Sequence, residues 1–290
     1  MKYFITGANG FVGKELIKIL KKKGKKFCGV DTNKEKNPNI YKVDIRDKNL
    51  HKYIPKNSIV VHLAGVIKPY ICKFKPIEAI DINLNGTINL IKSAEKKNAK
   101  KIIFASSEWV YGHSKNKNSL TEKKKINIEN VKSEYALSKI YGENFVNLSN
   151  KIKTKIILRF GILYGLRKGK DLSAFESLFH EVKRKNKIVI GSKKTARKFI
   201  NVVDLANAVY LASKQNKNNI FNLTGDQLIT LEQIINLTAK KLNKKVKIIE
   251  KNHSNPNIRN ISNDKAKKKL KWNLNFNLKK GVDLLTQKYA

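Results

Sequence analysis

The chain has 290 residues, of which 41% are hydrophobic, and it carries a formal net charge of +40. This apolar content excludes an intrinsically disordered chain, and the apolar runs are too short for a membrane-spanning helix, which needs about 20 apolar residues. Two cysteines without metal-ligand spacing exclude a disulfide framework, and the strand-like run at the N-terminus leaves no room for a signal peptide, so we predict a cytoplasmic protein with no membrane partner.

The positive charge raises the question of nucleic-acid binding, because lysine and arginine neutralise phosphates. Only six of the 62 basic residues are arginines, and the lysines are scattered without interleaved aromatic residues for base stacking. A coding sequence rich in A and T produces the same abundance of Lys, Asn and Ile. We therefore predict a solvated lysine-rich surface and no specific nucleic-acid partner.

Strand-like apolar runs alternate with amphipathic helical stretches along the first part of the chain. In order, these segments are 2–6, 12–23, 27–31, 59–64, 76–98, 102–107, 133–150 and 156–164. Right-handed crossovers between parallel strands place helices on both faces of a sheet. The alternation therefore predicts an α/β protein with a doubly wound parallel sheet, and the helical spacing of Leu84, Ile88, Ile91 and Ala94 predicts one long helix after Ile80.

Three glycines follow the first strand-like run at the spacing G-x-x-G-x-x-G, as Gly7, Gly10 and Gly13. In a dinucleotide-binding turn the first permits the tight turn, the second lets the backbone approach the pyrophosphate, and the third lets the helix pack on the strand. The N-terminus of the following helix then faces the phosphates. Because the glycines join a predicted strand to a predicted helix, they indicate a dinucleotide site in a Rossmann-type domain.

Asp31 closes the second strand-like run, 18 residues after Gly13. A carboxylate at this position accepts hydrogen bonds from the ribose hydroxyls of NAD and repels the additional phosphate of NADP. We therefore predict NAD as the cofactor.

After residue 165 the alternation becomes irregular. Residues 166–290 predict a smaller C-terminal substrate-binding domain, while 199–225 are typical of one more helix and strand that return to the main sheet. We therefore divide the chain into an NAD-binding Rossmann domain, 1–165, and a substrate-binding domain, 166–290.

Several further segments resemble those of a known family and follow in the same order. They are Val43-Asp44-Ile45-Arg46, His62-Leu63-Ala64-Gly65, Asn83-Leu84-Asn85-Gly86-Thr87, Ser106-Ser107-Glu108-Trp109-Val110-Tyr111-Gly112, Tyr135-Ala136-Leu137-Ser138-Lys139 and Leu158-Arg159-Phe160. With the glycine turn they resemble the extended short-chain dehydrogenases/reductases, the NAD-dependent epimerase/dehydratase family that includes the UDP-glucose 4-epimerases. The resemblance implies an enzyme that acts on the sugar of a nucleotide sugar, and a homodimer formed through the helices 76–98 and 133–150.

The resemblance also implies which residues contact NAD. They are Gly7, Asn9, Gly10, Phe11, Val12, Gly13, Asp31, Asp44, Ile45, Leu63, Ala64, Gly65, Asn83, Tyr135 and Lys139. Asp44 and Ile45 are expected at the adenine, and residues 63–65 beneath the pyrophosphate and ribose. No metal is expected.

Tyr135 and Lys139 lie four residues apart in a predicted helix, so their side chains emerge on one face. A neighbouring ammonium favours the phenolate, and we therefore expect Lys139 to lower the pKa of Tyr135 toward neutral pH. Tyr135 is expected to carry a proton, Lys139 to bind the nicotinamide ribose as well, and Ser107 to hold the reacting sugar oxygen. These three residues form the predicted catalytic set.

The predicted substrate contacts are made by Ser107, Glu108, Arg197 and Arg259. Arg197 lies in a segment similar to the family segment whose arginine pairs with the substrate diphosphate, and Arg259 precedes a stretch, 264–272, that is similar to the family C-terminus. A guanidinium suits bidentate contact with phosphate. Two departures from the family pattern leave the identity of the nucleotide open. Ile162 stands where epimerases often carry Asn, and Leu166 where Pro is usual.

Four functions are compatible with these residues. The first is an epimerase, an isomerase that oxidises a sugar hydroxyl with bound NAD and reduces the keto sugar from the other face. A 4,6-dehydratase of the same family needs a base where this chain has Trp109. A 4-keto-sugar reductase uses the same catalytic set, and an RNA-binding protein on this fold has no need of a tuned phenol. We predict the epimerase.

Overall fold

A computed structural model of the chain describes residues 1–33, 36–112, 118–167 and 172–289. The strands are, in chain order, β1 (Tyr3–Thr6), β2 (Phe27–Asp31), β3 (Ile40–Lys42), β4 (Ile59–His62), β5 (Lys101–Ser107), β6 (Thr154–Phe160), β7 (Leu163–Tyr164), β8 (Lys187–Ile190), β9 (Ala196–Arg197), β10 (Ile200–Asn201), β11 (Asn219–Leu223), β12 (Ile229–Thr230), β13 (Lys247–Glu250) and β14 (Ile258–Arg259). The α-helices are α1 (Phe11–Lys22), α2 (Pro69–Phe74), α3 (Pro76–Ile80), α4 (Gly86–Lys96), α5 (Glu134–Leu148), α6 (Ala174–Arg184), α7 (Val202–Ser213), α8 (Leu231–Lys241), α9 (Asp264–Leu270) and α10 (Leu278–Tyr289). Within the described ranges, none of these helices combines the length and the apolar character needed to cross a membrane.

The main sheet contains seven strands of the described residues, in the order β11-β6-β5-β4-β1-β2-β3. The pairs β1–β2, β1–β4, β2–β3 and β4–β5 are parallel. The strand order changes direction between β1 and β4, and in doubly wound sheets ligands bind at the carboxyl ends of the strands beside such a switch point. The predicted Rossmann-type parallel sheet is confirmed.

The central strands β1, β2, β4 and β5 are buried at every residue. Parallel strands that are covered on both faces consist of nearly continuous apolar residues, which explains the runs that the sequence shows. A core cluster that includes Phe4, Val60, Leu90 and Ile102 joins β1, β4, α4 and β5.

The helical stretch predicted over 76–98 is interrupted. It begins as α3, passes through a π-helical turn at Asp81–Asn85, and continues as α4. The π-helical turn falls in the segment directly after Ile80, where one long helix is predicted. A π-helical turn widens the helix locally, and such turns recur at functional sites. This one contains Asn83, a residue predicted to line the cofactor groove.

The described part of the chain divides into two compact units. The first comprises 1–112, 126–159 and 206–221, and the second comprises 113–125, 160–205 and 222–290. The second unit contains the small sheet β12-β9-β14 and an apolar core around Phe175, Phe179 and Ile235. These limits differ from the predicted domains, 1–165 and 166–290. The second stretch of the first unit ends at Arg159, and the segment that returns to this unit is 206–221 rather than 199–225.

Some of the many lysines stabilise the negative ends of helices. Lys101 is 4% exposed and donates through Nζ to the carbonyl oxygen of Ser213, at the end of α7, over 2.7 Å. Lys155 donates to the carbonyl oxygen of Ser149 beyond α5, and Lys244 donates to carbonyl oxygens in the last turn of α6. Because cations are favoured at helix C-termini, part of the positive charge has a structural role.

Candidate active site

The glycine turn lies at the carboxyl end of β1 and leads into α1. Gly7 has a φ of +67°, and a Cβ on it would lie 2.8 Å from the backbone nitrogen of Ala64. A Cβ on Gly13 would overlap the carbonyl oxygen of Gly7. Both positions exclude a side chain, Gly7 because of its left-handed backbone and its approach to the loop after β4, and Gly13 because α1 packs against the turn.

Gly10 differs from the other two glycines. It is exposed, its backbone is extended, and the nearest atom to a Cβ would be the carbonyl oxygen of Gly7, at 3.1 Å. It is the N-cap of α1, and as a glycine it has no side-chain oxygen to accept from the amides of the first turn, which begins with Phe11 and Val12. A helix start of this kind binds anions, so this cradle fits the pyrophosphate of a dinucleotide.

Asp31 lies beside the turn, at the end of β2. Its two carboxylate oxygens accept hydrogen bonds from the backbone amides of Asn9, at 3.0 Å, and Asn33, at 2.9 Å. The Asn9 side chain also donates to the carbonyl oxygen of Asn33, at 2.7 Å. Each oxygen of a carboxylate can accept more than one hydrogen bond, so the fixed Asp31 retains capacity for ribose hydroxyls. Its contact with NAD stays a prediction.

The loop after β4 is held by Asn83. The side-chain oxygen of Asn83 accepts from the amide of Val66 at 2.7 Å, and its side-chain nitrogen donates to the Val66 carbonyl oxygen at 2.9 Å. The same nitrogen donates to Ser138 Oγ on α5, at 3.1 Å. Asn83 therefore orients residues 63–65 and links their loop to the helix that carries Tyr135. Contacts of these residues with NAD stay predictions.

Asp44 and Ile45, which are predicted at the adenine, have side chains that are engaged within the protein. The Asp44 carboxylate oxygens accept from the guanidinium of Arg46 at 3.0 and 2.7 Å, and these hydrogen bonds lower the pKa of Asp44. Arg46 also pairs with Asp81 at 2.6 Å. Ile45 is 5% exposed and belongs to the core cluster. An adenine contact would therefore involve the backbone of Ile45 rather than its side chain.

A chain of hydrogen bonds runs through the buried imidazole of His62. Its Nδ1 lies 2.8 Å from Thr6 Oγ1, and its Nε2 lies 2.9 Å from Thr87 Oγ1. Thr87 donates its hydroxyl proton to the carbonyl oxygen of Asn83 at 2.6 Å, so its oxygen accepts from the ring. We therefore assign the ring proton to Nε2, and the Thr6 hydroxyl donates to Nδ1. Burial, together with the charge of Lys139, lowers the pKa of His62 to about 3, so the ring is neutral at pH 7.

Ser107, Tyr135 and Lys139 come together at the carboxyl end of β5. The Tyr135 hydroxyl is hydrogen-bonded to the side chain of Ser107, whose Oγ also accepts from the amide of Trp109 at 3.3 Å. Lys139 Nζ donates to the carbonyl oxygen of Ala105 at 2.9 Å and lies 5.9 Å from the centroid of the Tyr135 ring. The structure thus brings the predicted catalytic set together, and the catalytic roles stay predictions.

The position of α5 decides this arrangement. A Cβ on Gly142 would lie 2.5 Å from the ring of Phe104, so glycine allows the helix to lie close to β5. Ser133 is the N-cap, and its Oγ accepts from the amide of Ala136 at 3.4 Å. The cap determines where α5 begins and the glycine determines how close it lies to the sheet, and together they place Tyr135 beside β5.

The electrostatics of the phenol differ from the expectation drawn from the sequence. Burial raises the pKa of Tyr135 to about 12, although the hydrogen bond with Ser107 opposes the rise. Burial also lowers the pKa of Lys139 to about 8. The expected lowering of the Tyr135 pKa is therefore wrong for the protein alone, because removal from water disfavours the charged form of both groups.

Glu108 and Trp109 follow Ser107 in a 3-10 helix, Glu108–Tyr111. Glu108 is fully buried, and its charge adds to the rise that burial causes in the pKa of Tyr135. The Trp109 indole meets the Tyr135 ring edge-on, with ring centroids 6.3 Å apart and an interplanar angle of 78°. Trp109, which stands where the family resemblance implies the base of a dehydratase, therefore places an aromatic ring beside Tyr135.

Arg197 and Arg259 lie side by side in the second unit. β9 and β14 are parallel neighbours in which Arg197 stands opposite Arg259, so both side chains leave the same face of that small sheet. Their exposed fractions are 8% and 1%. Arg197 Nη1 donates to the carbonyl oxygens of Ala196, at 2.8 Å, and Asn257, at 2.5 Å. The predicted phosphate-binding arginines thus form one positive cluster, and their contact with substrate stays a prediction.

Two buried polar groups near the site were missed in the sequence. One is His62 with its two threonines, and the other is an ion pair between Glu143 and Arg159, whose Oε2 and Nη2 atoms are 2.7 Å apart. A signal existed for each. His62 opens one of the segments that carry the family resemblance, and Glu143 follows Lys139 by four residues and so lies on the same helix face.

The residues of the first unit fit a dinucleotide. The exposed Gly10 cradle, the uncapped start of α1 and the anchored carboxylate of Asp31 all lie at the carboxyl ends of β1 and β2, next to the switch point of the sheet. In the portion of the chain that the structure describes, no group of three or more His, Cys, Asp or Glu side chains could hold a metal ion.

Comparisons with known proteins identify relatives of this arrangement. Residues 3–224 match the model of the NAD dependent epimerase/dehydratase family. A putative UDP-glucose 4-epimerase of Methanocaldococcus jannaschii is 29% identical over 96% of this chain and 95% of its own length. A dTDP-4-dehydro-6-deoxyglucose reductase of Escherichia coli is 28% identical over 97% of this chain and 95% of its own length.

A solved structure has the same fold. The UDP-glucose 4-epimerase of Thermus thermophilus, in complex with NAD, superposes with a TM-score of 0.84 at 21% identity, over 99% of each chain. The family match confirms NAD as the predicted cofactor. These comparisons give no support to the RNA-binding alternative.

The two glycines of the turn offer a matched pair of substitutions. Gly10→Leu should keep the fold, because the position is exposed and extended, and should weaken NAD binding at least about tenfold by filling the pyrophosphate cradle. Gly13→Leu should instead lower the free energy of unfolding by more than about 3 kcal/mol, since its Cβ would overlap the Gly7 carbonyl oxygen. Calorimetry with NAD and urea unfolding measure the two effects. Unchanged NAD affinity in Gly10→Leu would show that this glycine serves only the turn.

The neutral His62 predicts a pH dependence of stability. Between pH 6.5 and about 3 the unfolded chain takes up a proton on this histidine while the folded protein does not, so the free energy of unfolding falls as the pH falls through that window. Replacing His62 with Gln should reduce this slope by up to about 1.4 kcal/mol per pH unit. Urea unfolding between pH 4.5 and 6.5 measures the slope, with His253→Gln at an exposed position as the control. Equal slopes in the His62 variant and the wild type would contradict the assignment.

Proposed function

Since the chain belongs to the NAD dependent epimerase/dehydratase family, we propose that it is a nucleotide-sugar epimerase that oxidises one sugar carbon and reduces it again from the opposite face. The observation that carries this proposal is the contact between Tyr135 and Ser107 with Lys139 next to them, at the carboxyl end of β5. The M. jannaschii relative, which aligns over nearly its whole length, is named a putative UDP-glucose 4-epimerase. UDP-sugars are therefore the first substrates to test.

The mechanism assigns one task to each residue. Bound NAD would supply reversible hydride transfer at the sugar carbon. Residues Gly10, Asp31 and Lys139 would hold the cofactor. Ser107 Oγ holds the reacting oxygen of the sugar by a hydrogen bond. Tyr135 takes the proton of that hydroxyl as the carbonyl forms and gives it back as the hydroxyl forms again.

The phenol needs a positive charge nearby to act as a base. Its pKa of about 12 makes Tyr135 a neutral phenol at pH 7 in the protein alone. Tyr135 can therefore accept the sugar proton only after it has released its own proton to solvent, and Lys139 Nζ, 5.9 Å from the centroid of the phenol ring, supplies a positive charge that favours this phenolate. The ammonium form of Lys139 is therefore required for turnover.

The diphosphate of the substrate is assigned to Arg197 and Arg259. Two buried guanidinium groups that stand opposite each other in β9 and β14 provide two planar donors on one face. Arginine suits this task because its donors match phosphate oxygens in pairs. Glu108, directly after Ser107, is assigned to the sugar.

Two other reactions of the family are distinguished by particular residues and relatives. Elimination by a 4,6-dehydratase needs a base, and Trp109 offers none at the expected position. A 4-keto-sugar reductase would use the same three residues, and the E. coli relative of nearly equal identity is named as such a reductase. The reductase is therefore the second candidate, and the fate of the reducing equivalent separates it from the epimerase.

A homodimer through α3, α4 and α5 is also proposed. The exposed side chains on these helices include Ile77 and Ile80, at 85% and 45%, and Tyr141 and Leu148, at 46% and 70%. Tyr141 and Leu148 lie seven residues apart on one face of α5, which gives the helix an apolar stripe towards solvent. Burial of such a stripe against a second copy is favourable.

The reaction is tested with the wild type and one substitution. Incubated with UDP-glucose or another nucleotide sugar and no added cofactor, the wild type should interconvert two stereoisomers with no net change in NADH absorbance. Tyr135→Phe should reduce turnover by about 100-fold or more while NAD binding survives, because only the ionisable oxygen is lost. Tyr141→Phe, on the exposed face of the same helix, is the control.

Two outcomes would contradict the proposal. Consumption of one NADH for each keto sugar reduced, without epimerisation, would establish the reductase instead. Near-normal turnover in Tyr135→Phe on the true substrate would remove the catalytic role of the phenol.

The dimer is tested by placing a charge on its face. Leu148→Glu should shift the protein from dimer to monomer in sedimentation velocity, because an exposed apolar position would become an unpaired charge within the interface. Ile128→Glu, at an exposed apolar position outside these helices, should leave the dimer intact. A wild type that is monomeric at every concentration would disprove the proposed association.

A further inference from the structure

Glu143 continues the catalytic face of α5. Tyr135, Lys139 and Glu143 follow each other at steps of four residues, so the three side chains lie along one side of the helix. The mechanism uses the first two. Glu143 is only 5% exposed, and a buried carboxylate requires partners that offset its loss of water.

The partners of Glu143 lie on two neighbouring strands. Arg159, at the end of β6, donates Nε to Oε1 at 2.9 Å and Nη2 to Oε2 at 2.7 Å. Ser106 Oγ, on β5, donates to Oε1 at 2.5 Å. The remaining guanidinium nitrogen, Nη1, donates to the hydroxyl of Tyr111 at 2.9 Å. Glu143 therefore links α5 to β5 and β6 by hydrogen bonds to Ser106 and Arg159.

Lys139 and Glu143 hold consecutive residues of β5. Lys139 Nζ donates to the carbonyl oxygen of Ala105, and Glu143 accepts from the side chain of the next residue, Ser106. Lys139 is 5% exposed, and burial lowers its pKa to about 8, while the charge of Glu143 acts in the opposite direction. The lysine that the mechanism needs as an ammonium is thus buried next to an anion.

The other titratable groups that face Lys139 do not supply a negative charge at pH 7. Burial raises the pKa of the Cys72 thiol and raises the pKa of Tyr135 to about 12, so both are neutral. Burial lowers the pKa of His62 to about 3, so the imidazole is neutral as well. Among the groups that face Lys139 in these interactions, Glu143 is the anion.

We propose that Glu143 is a positioning residue that keeps Lys139 in its ammonium form, and that Arg159 offsets part of the negative charge of Glu143. The proposal rests on the proposed function in one respect only, namely that catalysis needs Lys139 as an ammonium. Arg159 pairs directly with the Glu143 carboxylate, and Lys139 lies one helical turn from Glu143 and is affected by its charge. Removing the carboxylate should therefore leave two buried cations that repel each other, and removing Arg159 should leave the charge of Glu143 to act on Lys139 alone. The two substitutions therefore act on Lys139 in opposite directions.

The test measures the protonation of Lys139 without any substrate. Acylation of Lys139 by a limiting amine reagent is followed by peptide mass spectrometry from pH 6 to 11, and each variant is normalised to its own plateau at high pH. In Glu143→Gln, which keeps the shape and can keep hydrogen bonds, a fall of about one pKa unit should raise the unprotonated fraction of Lys139 at pH 7 about fivefold, from about 0.1 to about 0.5. The exposed Lys100 in the same protein is the internal control.

Two further variants keep the proposal falsifiable if Glu143→Gln does not fold. Arg159→Met should lower the unprotonated fraction of Lys139 at pH 7, because the charge of Glu143 then acts on Lys139 without the guanidinium that offsets it. The double variant Glu143→Gln/Arg159→Met should restore it towards the wild-type value, since the buried pair is removed as a unit. Circular dichroism and NAD binding report whether each variant is folded.

The outcomes separate this proposal from the proposed function. An ion pair with a structural role alone predicts lower thermal stability in all three variants and no change in the Lys139 titration, and that result would overturn the positioning role. A shifted titration in an enzyme without epimerase activity would support the positioning role and contradict the function. In an active enzyme, turnover should fall as the pH rises and Lys139 loses its proton. In Glu143→Gln this fall should occur at a lower pH than in the wild type.

Discussion

The close approach of two backbone segments at the switch point of the sheet is the constraint on which the site depends. A side chain on Gly7 would meet the backbone of Ala64, and one on Gly13 would meet the carbonyl oxygen of Gly7. Without side chains at these positions, the turn after β1 packs against the loop after β4, and the start of α1 reaches the carboxyl edge of the sheet. The anion-binding cradle at Gly10 and the anchored Asp31 are consequences of this packing.

Burial then determines the chemistry of the residues around that edge. Tyr135, Lys139 and His62 are all removed from water, and each has its neutral form favoured relative to an exposed side chain. The hydrogen-bond chain through Thr6 and Thr87 satisfies the imidazole, while the carbonyl oxygen of Ala105 accepts from the ammonium. A site built in this way depends on the few charges that lie inside it, which gives the ion pair of Glu143 and Arg159 its significance.

The large positive charge is distributed unevenly between lysine and arginine. Lysines cover the surface, and some of them bind the carbonyl ends of helices, as Lys101 and Lys155 do. Arginine is rare, yet Arg46, Arg159 and Arg167 pair with carboxylates, and Arg197 stands opposite Arg259. The planar guanidinium makes paired hydrogen bonds that an ammonium cannot make, and these arginines occupy positions where such paired bonds are possible. The surrounding lysines create a positive field that attracts anions.

The sequence by itself determined the Rossmann-type sheet, because fully buried parallel strands require continuous apolar runs, and it located the glycine turn and the Tyr135–Lys139 pair, because both depend on short spacings along the chain. It did not determine the π-helical turn at Asn83, the unit boundaries or the contacts of Glu143, since these follow from segments that are distant in sequence. It also led to the wrong direction for the pKa of Tyr135. A spacing of four residues shows that an ammonium is near, but only the tertiary structure decides how much water both groups lose, and that loss is the largest cause of both pKa shifts.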